Sequence, residues 1–252
     1  MSVATLLLLV VSLAVGISIG AVGIGGILLI PALGALGGLG VHRAMATALF
    51  TFFFTGLVGA LMFQRRGSIR WKLAMPLSLG ALCCGSIGAW ANSRMDGAVL
   101  TLILAAIIAL AGLYTLRSHH GERIAPLEGR PAEQAALLGA IGAFVGFGSG
   151  LTGVGGPAIA VPLMVMSGFA PLATIGASQV VQVVASISAT AANVGYGNID
   201  YAIALPVTVA QLAGVPLGVR IVHSIDARLL HRAVALLCIA VGAWLAIRVL
   251  AS

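Results

Sequence analysis

From Ala44 to Phe63 the chain runs for 20 residues without a charged side chain, and Ala98 to Leu116 is equally uncharged. Such a run fits few structures. An α-helix needs about 20 apolar residues to cross a bilayer, and in hydrocarbon every backbone N–H and C=O must find its partner inside the protein. A transmembrane strand needs only about 9–11 residues and alternates apolar with polar, so a β-barrel is excluded. Composition agrees. Hydrophobic residues make up 60% and charged residues 8%, against roughly 25% charged in a soluble domain, too few to cover a water-facing surface and too apolar for disorder. The fold class is an all-α integral membrane protein.

The net charge of +7 does not signal nucleic acid. The basic residues are scattered over short loops between apolar runs, the imprint of membrane topology. Cys83, Cys84 and Cys238 lie in apolar runs and are expected to be small buried hydrophobes. No metal or cofactor is expected. Met1 to Leu13 is apolar but lacks a basic leader, so it is read as part of the first helix rather than a cleaved signal.

The chain repeats itself at a shift of 130 residues. Gly16, Gly20, Gly23, Gly25 and Gly26 fall on Gly146, Gly150, Gly153, Gly155 and Gly156; Pro76, Gly88, Asp96 and Gly112 fall on Pro206, Gly218, Asp226 and Gly242. This predicts a first repeat at 1–117, a linker at 118–133 and a second repeat at 134–252. Each repeat comprises a glycine-broken stretch (3–38; 134–168) and three spans (44–63, 71–91, 98–116; 173–193, 201–220, 229–249). Asp96 and Asp226 open the last spans as helix N-caps.

If each broken stretch turns back as a helical hairpin, the loops holding Arg65, Arg66, Arg70, Lys72, Arg117, Arg123, Arg130, Arg220, Arg228 and Arg232 share one side. Only Arg43, Arg94 and Arg248 face the other. The positive-inside rule then places linker 118–133 in the cytoplasm and both termini outside, in a bacterial-type inner membrane. Three spans per repeat is an odd number, so the repeats are inverted, an architecture that places substrate sites near the midplane.

The sharpest local feature is Gly23-Ile24-Gly25-Gly26 with its twin Gly153-Val154-Gly155-Gly156. Glycine runs break helices and let backbone N–H groups face a cavity. A helix that restarts after the break presents its positive end. Two such tips would make an anion site without a buried charge; close helix packing is the alternative. Thr47, Thr152, Ser178 and Gln179 supply hydrogen-bonding side chains nearby, with Gln182 and Asn193 near the face of Gln179. Hydrogen bonding between helices is the alternative for these.

The paired GxGG–Pro hairpins, each followed by a small-residue run around Thr47 or Ser178, resemble the TauE/SafE-type sulfite exporters, the sulfonate-uptake-permease family. The resemblance covers nearly the whole chain and implies transport of sulfite, sulfoacetate or related sulfonates. It maps onto Gly23, Gly25, Gly26, Pro31 and Thr47, and onto Gly153, Gly155, Gly156, Pro162 and Ser178. Ala48 and Ala177 stand where the family often has serine and threonine, so each repeat keeps one hydroxyl of a pair.

Asp96, Glu122, Glu128, Glu133, Asp200 and Asp226 all fall in loops or at helix ends, which leaves no mid-span carboxylate as a proton or sodium relay. The expectation is a non-enzymatic exporter of a small anion, with the bilayer and that anion as its partners. An accessory membrane subunit and an uptake permease are the alternatives. Ser149 in Gly148-Ser149-Gly150 lacks the motif of a nucleophile.

Overall fold

The computed structural model describes residues 3–22, 25–117, 127, 129–196 and 198–221, and then 236, 239–240, 243–244 and 246–247. Gly23, most of the linker, Asp226, Cys238 and most of the expected 229–249 span lie outside the described residues.

All regular structure among the described residues is helical. The first half holds α1 (Val3–Val22), a 3-10 turn (Gly25–Leu28), α2 (Leu29–Ala35), α3 (Val41–Arg65), α4 (Trp71–Arg94) and α5 (Gly97–Arg117). The second holds α6 (Pro131–Thr152), α7 (Gly156–Met166), α8 (Pro171–Gly195) and α9 (Tyr201–Ile221). Among the described residues α1, α3, α4, α6, α8 and α9 are long and apolar enough to cross a membrane. Asp96 caps α5 as expected, its Oδ1 accepting the Ala98 N–H at 2.8 Å.

The outward faces carry Leu6, Val10, Leu61, Leu79 and Val209, all more than half exposed, as a lipid-facing surface requires. Cys83 is also exposed, which corrects its expected burial: in a bilayer an apolar position can face lipid as readily as the interior. Trp71 and Trp90, both about half exposed, sit near opposite ends of α4. At 1.5 Å per residue they are roughly 28 Å apart, close to the thickness of a hydrocarbon core, where aromatic belts form.

Two glycine seams join the halves. A side chain at Gly16 or Gly20 of α1 would strike the carbonyl of Gln211 or Val215 of α9. One at Gly146 or Gly150 of α6 would strike that of Ala81 or Gly85 of α4. Adding 130 converts Gly16–Gln211 and Gly20–Val215 into these same contacts with the halves exchanged. Gly218 against Ile17 and Gly88 against Phe147 exchange likewise. Small residues let backbones approach closely enough for van der Waals and Cα–H contacts to hold helices together in lipid.

Residue numbers rise together along both seams, so α1 runs parallel to α9 and α6 parallel to α4. Hydrogen bonds to Asp200 from Arg43 (3.1 Å) and between Asp200 N–H and Thr47 Oγ1 (3.1 Å) bring the starts of α3 and α9 together. Thus α1, α3 and α9 share one direction, and the chain between α1 and α3 returns across the bundle. α8 runs opposite to α3, since Gly59 lies against Gln179 and Gly56 against Gln182. It therefore parallels α4 and α6, and α7 makes the return in the second half. Arg65, Arg66, Arg70, Lys72, Arg130 and Arg220 sit at one end of the bundle; Arg43 and Arg94 sit at the other.

Gly150→Leu forces α6 off α4 and is expected to cost at least 1–3 kcal/mol, the usual penalty of about that size for overpacking. A thermal melt of the detergent-purified protein measures it. Gly195→Ala, where nothing lies within 4 Å of the new methyl, is expected to melt like the parent.

Candidate functional site

The second glycine tip is clear in outline. α6 ends at Gly153, whose left-handed backbone (φ 70°) closes the helix, with its N–H donated to Ser149 O at 2.8 Å. Gly155 follows at φ 83° and ψ 156°, a region essentially reserved for glycine. α7 restarts at Gly156, with Pro157 in its first turn where a missing N–H costs nothing. Every residue from Leu151 to Val161 is buried. The break and the positive start of α7 are therefore enclosed in protein, the one setting in which irregular backbone survives at membrane depth. In the first tip, Gly25 opens the 3-10 turn that leads into α2.

Both tips reach α3 near its middle, and the second also reaches the middle of α8. Phe52, 1% exposed, touches both tips: a methyl on Gly26 would fall 2.9 Å from its ring, and one on Gly155 3.1 Å from it. A methyl on Gly156 would instead meet the Gln182 backbone N at 3.1 Å. The 130-residue shift carries Gly26 onto Gly156 and Phe52 onto Gln182. Equivalent glycines therefore press on equivalent positions of α3 and α8, one aromatic and one amide. The amide ties the helices together, because Gln182 Nε2 donates to Phe52 O and to Thr55 Oγ1, each at 3.0 Å.

The remaining sequence-predicted positions are spread along these helices. Thr47 lies at the start of α3, where its Oγ1 accepts the Asp200 N–H. Gly153 packs against Met45 in the same region, at 2.7 Å from an added methyl. Thr152 and Ser178 donate their hydroxyl protons within their own helices, to Gly148 O at 2.7 Å and Ile175 O at 2.8 Å. Gln179 is 0% exposed and lies against Gly59, with no partner for either amide atom. Thr47 and Gly59 are 12 residues apart on α3, about 18 Å by helical rise. Thr47 and Gln179 therefore flank the tips from opposite sides instead of converging on one point.

Two residues of this region escaped sequence reasoning. Phe52 looked like one more apolar residue in a span, and its signal was its register with Gln182. Asn92 is 3% exposed near the end of α4. Its Nδ2 donates to Leu151 O at 2.6 Å and contacts Met45 Sδ at 3.1 Å, while its Oδ1 faces His42 Nδ1 at 3.1 Å. Asn92 thus fastens the last turn before the second tip to α3 and α4. Beside it opens a pocket of about 660 Å³ lined by Gly40, His42, Arg43, Ser93, Arg94, Tyr196 and Asn198. Arg43 is paired there with Asp200, and the Arg94 guanidinium lies 5.4 Å over the Trp90 ring.

Among the described residues no three His, Cys, Asp or Glu side chains gather as a metal site would require. The described carboxylates, Asp96, Glu133 and Asp200, stand at helix starts.

A sequence profile for the sulfite exporter TauE/SafE family matches residues 8–245. The chain is similar to the probable membrane transporter protein YdhB of Bacillus subtilis, 26% identical over 85% of this chain and 89% of that one. It is also similar to a probable membrane transporter protein of Methanocaldococcus jannaschii, 25% identical over 72% of each. No solved structure matches the chain significantly.

Removing the amide in Asn92→Ala leaves the buried Leu151 carbonyl unpaired and is expected to destabilise the protein by about 1–3 kcal/mol. His42→Ala keeps that bond and is expected to cost less. Paired thermal melts of the two variants make the comparison.

Proposed function

Because this chain belongs to the TauE/SafE sulfite exporter family of membrane transporters, we propose that it exports a small sulfur-containing anion, such as sulfite, sulfoacetate or another organosulfonate, by alternating access. The binding site is the pair of glycine tips: Gly23, Gly25 and Gly26 on one side, and Gly153, Gly155 and Gly156 on the other. The observation that carries the proposal is the approach of both tips to Phe52. Hairpins that run in opposite directions bring Gly26 to the tip and Gly155 to an edge of one ring. The start of α7 offers unpaired N–H groups and the positive end of a helix there, which suits an anion without any fixed charge. Thr47, Thr152, Ser178 and Gln179 serve the anion in succession as it passes, with the Gln179 amide the donor least committed elsewhere.

The exchange of contacts under the 130-residue shift supports reading the two halves as inverted repeats, at 1–117 and 134–252. In such a pair each half can take the other's conformation, which opens the site alternately to either side. The concentration of Arg65, Arg66, Arg70, Lys72, Arg130 and Arg220 at one end supports a cytoplasmic placement of that end and of the linker at 118–133. The Arg43 and Arg94 pocket then opens outside. With the cell interior negative, the potential drives an anion outward by about 2.3 kcal/mol per charge per 100 mV, so export needs no buried acid as a relay.

Ligand-induced thermal stabilisation tests the site. A saturating sulfur oxyanion, at about 100 times its dissociation constant, is expected to add roughly 2.7 kcal/mol to the purified protein, and acetate much less. Gly25→Leu combined with Gly155→Leu is expected to remove that gain while the protein still reaches the membrane, since leucine cannot take the Gly155 backbone. A double variant that is stabilised as well as the parent would overturn the site. Absence of any anion effect on the parent would favour an accessory subunit.

A further inference from the structure

The face of α8 turned toward α3 carries more polar groups than the tips use. Gln179, Gln182, Ser186, Thr190 and Asn193 follow at steps of 3, 4, 4 and 3 residues, a single helical stripe. It spans 14 residues, about 21 Å of a hydrocarbon core roughly 30 Å thick. Contacts fix its orientation. Gln182 donates to Phe52 O and Thr55 Oγ1, Gln179 lies on Gly59, and Gly56 abuts Gln182 and Val183. Ser188, on the opposite face, belongs to α4: its Oγ donates to Leu82 O at 2.8 Å and accepts the Ser86 N–H at 2.9 Å.

Three members of the stripe hold buried polar atoms with no partner: both amide atoms of Gln179, Ser186 Oγ and Thr190 Oγ1. Gln179 and Ser186 are 0% exposed. Unpaired burial of this kind is costly and rare in native interiors, and calls for a partner such as water or a ligand. The opposing wall is of a different kind. Shifted back by 130, Gln179, Gln182, Ser186, Thr190 and Asn193 become Leu49, Phe52, Gly56, Ala60 and Phe63. None of these five is polar, and the polar side chain that α3 turns to the stripe, Thr55, is already engaged by Gln182. Leu49 joins Ala189 of α8 in one cluster, and Ala60 and Phe63 pack against the core beside α8.

We infer that the α3–α8 seam is the route by which the substrate passes the tips, and that its unlike walls select an organic anion with an apolar end. The inference rests on the anion-transport reading above. The α8 stripe supplies neutral donors for the acidic head: the Gln179 amide and the Ser186 and Thr190 hydroxyls. The α3 wall, Leu49 and Phe52 with the two glycines Gly56 and Gly59, receives the apolar part. A fully hydrated inorganic oxyanion would have to shed water against that wall with nothing in return, whereas an alkyl group gains by burying its surface there.

Single cysteines test the route. In protein with Cys83, Cys84 and Cys238 changed to alanine, Ser186→Cys and Thr190→Cys are reconstituted in proteoliposomes beside Ser188→Cys. Each is exposed to 2-sulfonatoethyl methanethiosulfonate, a small charged thiol reagent. Ser186→Cys and Thr190→Cys are expected to react at least tenfold faster than Ser188→Cys, and propane-1-sulfonate is expected to slow them at lower concentration than sulfate does. Two near-isosteric variants keep the test alive if one fails to fold. Rates equal to that of Ser188→Cys would overturn the route and leave binding at the tips untouched. Equal protection by sulfate would overturn the selection by the apolar wall. Fast reaction protected by neither anion would overturn the inference together with the anion-transport reading beneath it.

Discussion

Backbone-to-backbone contact at glycine holds the rest of the architecture in place. Lipid gives apolar helices no hydrophobic reason to associate, so α1 and α9, and α4 and α6, stay together only because Gly16, Gly20, Gly146 and Gly150 let opposing carbonyls approach. These seams bind the broken arm of one half to an unbroken helix of the other. Widening a seam would draw a tip away from Phe52, so the packing glycines and the tip glycines act in series. Asn92 adds a polar fastening at the end of the second seam, where α6 gives way to the tip.

Much of this was legible in the sequence because it rests on period and composition. The long apolar runs pointed to the all-helical membrane fold, and Asp96 caps α5 as its position implied. The broken stretches appear as a long arm followed by a short one, α1 then α2 and α6 then α7. What stayed hidden depends on which surface faces which. Cys83 faces outward because lipid and protein interior both favour apolar side chains. Thr152 and Ser178 donate to their own helices, a local bond that competes with any ligand and that spacing cannot reveal. Phe52 became visible only when both tips were found against its ring.

The two halves share a framework and differ in their chemistry. Equivalent positions hold Phe52 and Gln182, Leu49 and Gln179, Gly56 and Ser186. A symmetric pair of walls would be wholly apolar, hostile to any anion, or wholly polar and wet. On the proposed route, unlike walls would let the seam offer hydrogen bonds without a fixed cation that would hold an anion too tightly to release. The basic side chains remain at the two ends of the bundle, where they meet the topological demand of the membrane.

Flux through the purified protein in proteoliposomes, under an imposed membrane potential, tests the central claim most directly: that this chain alone moves a sulfur-containing anion through a charge-free site. With the lumen negative, efflux of a labelled alkanesulfonate is expected to exceed that at zero potential and to fall when the potential is reversed. Absence of flux above protein-free vesicles for every sulfur anion, from protein that is folded and inserted, would contradict the account.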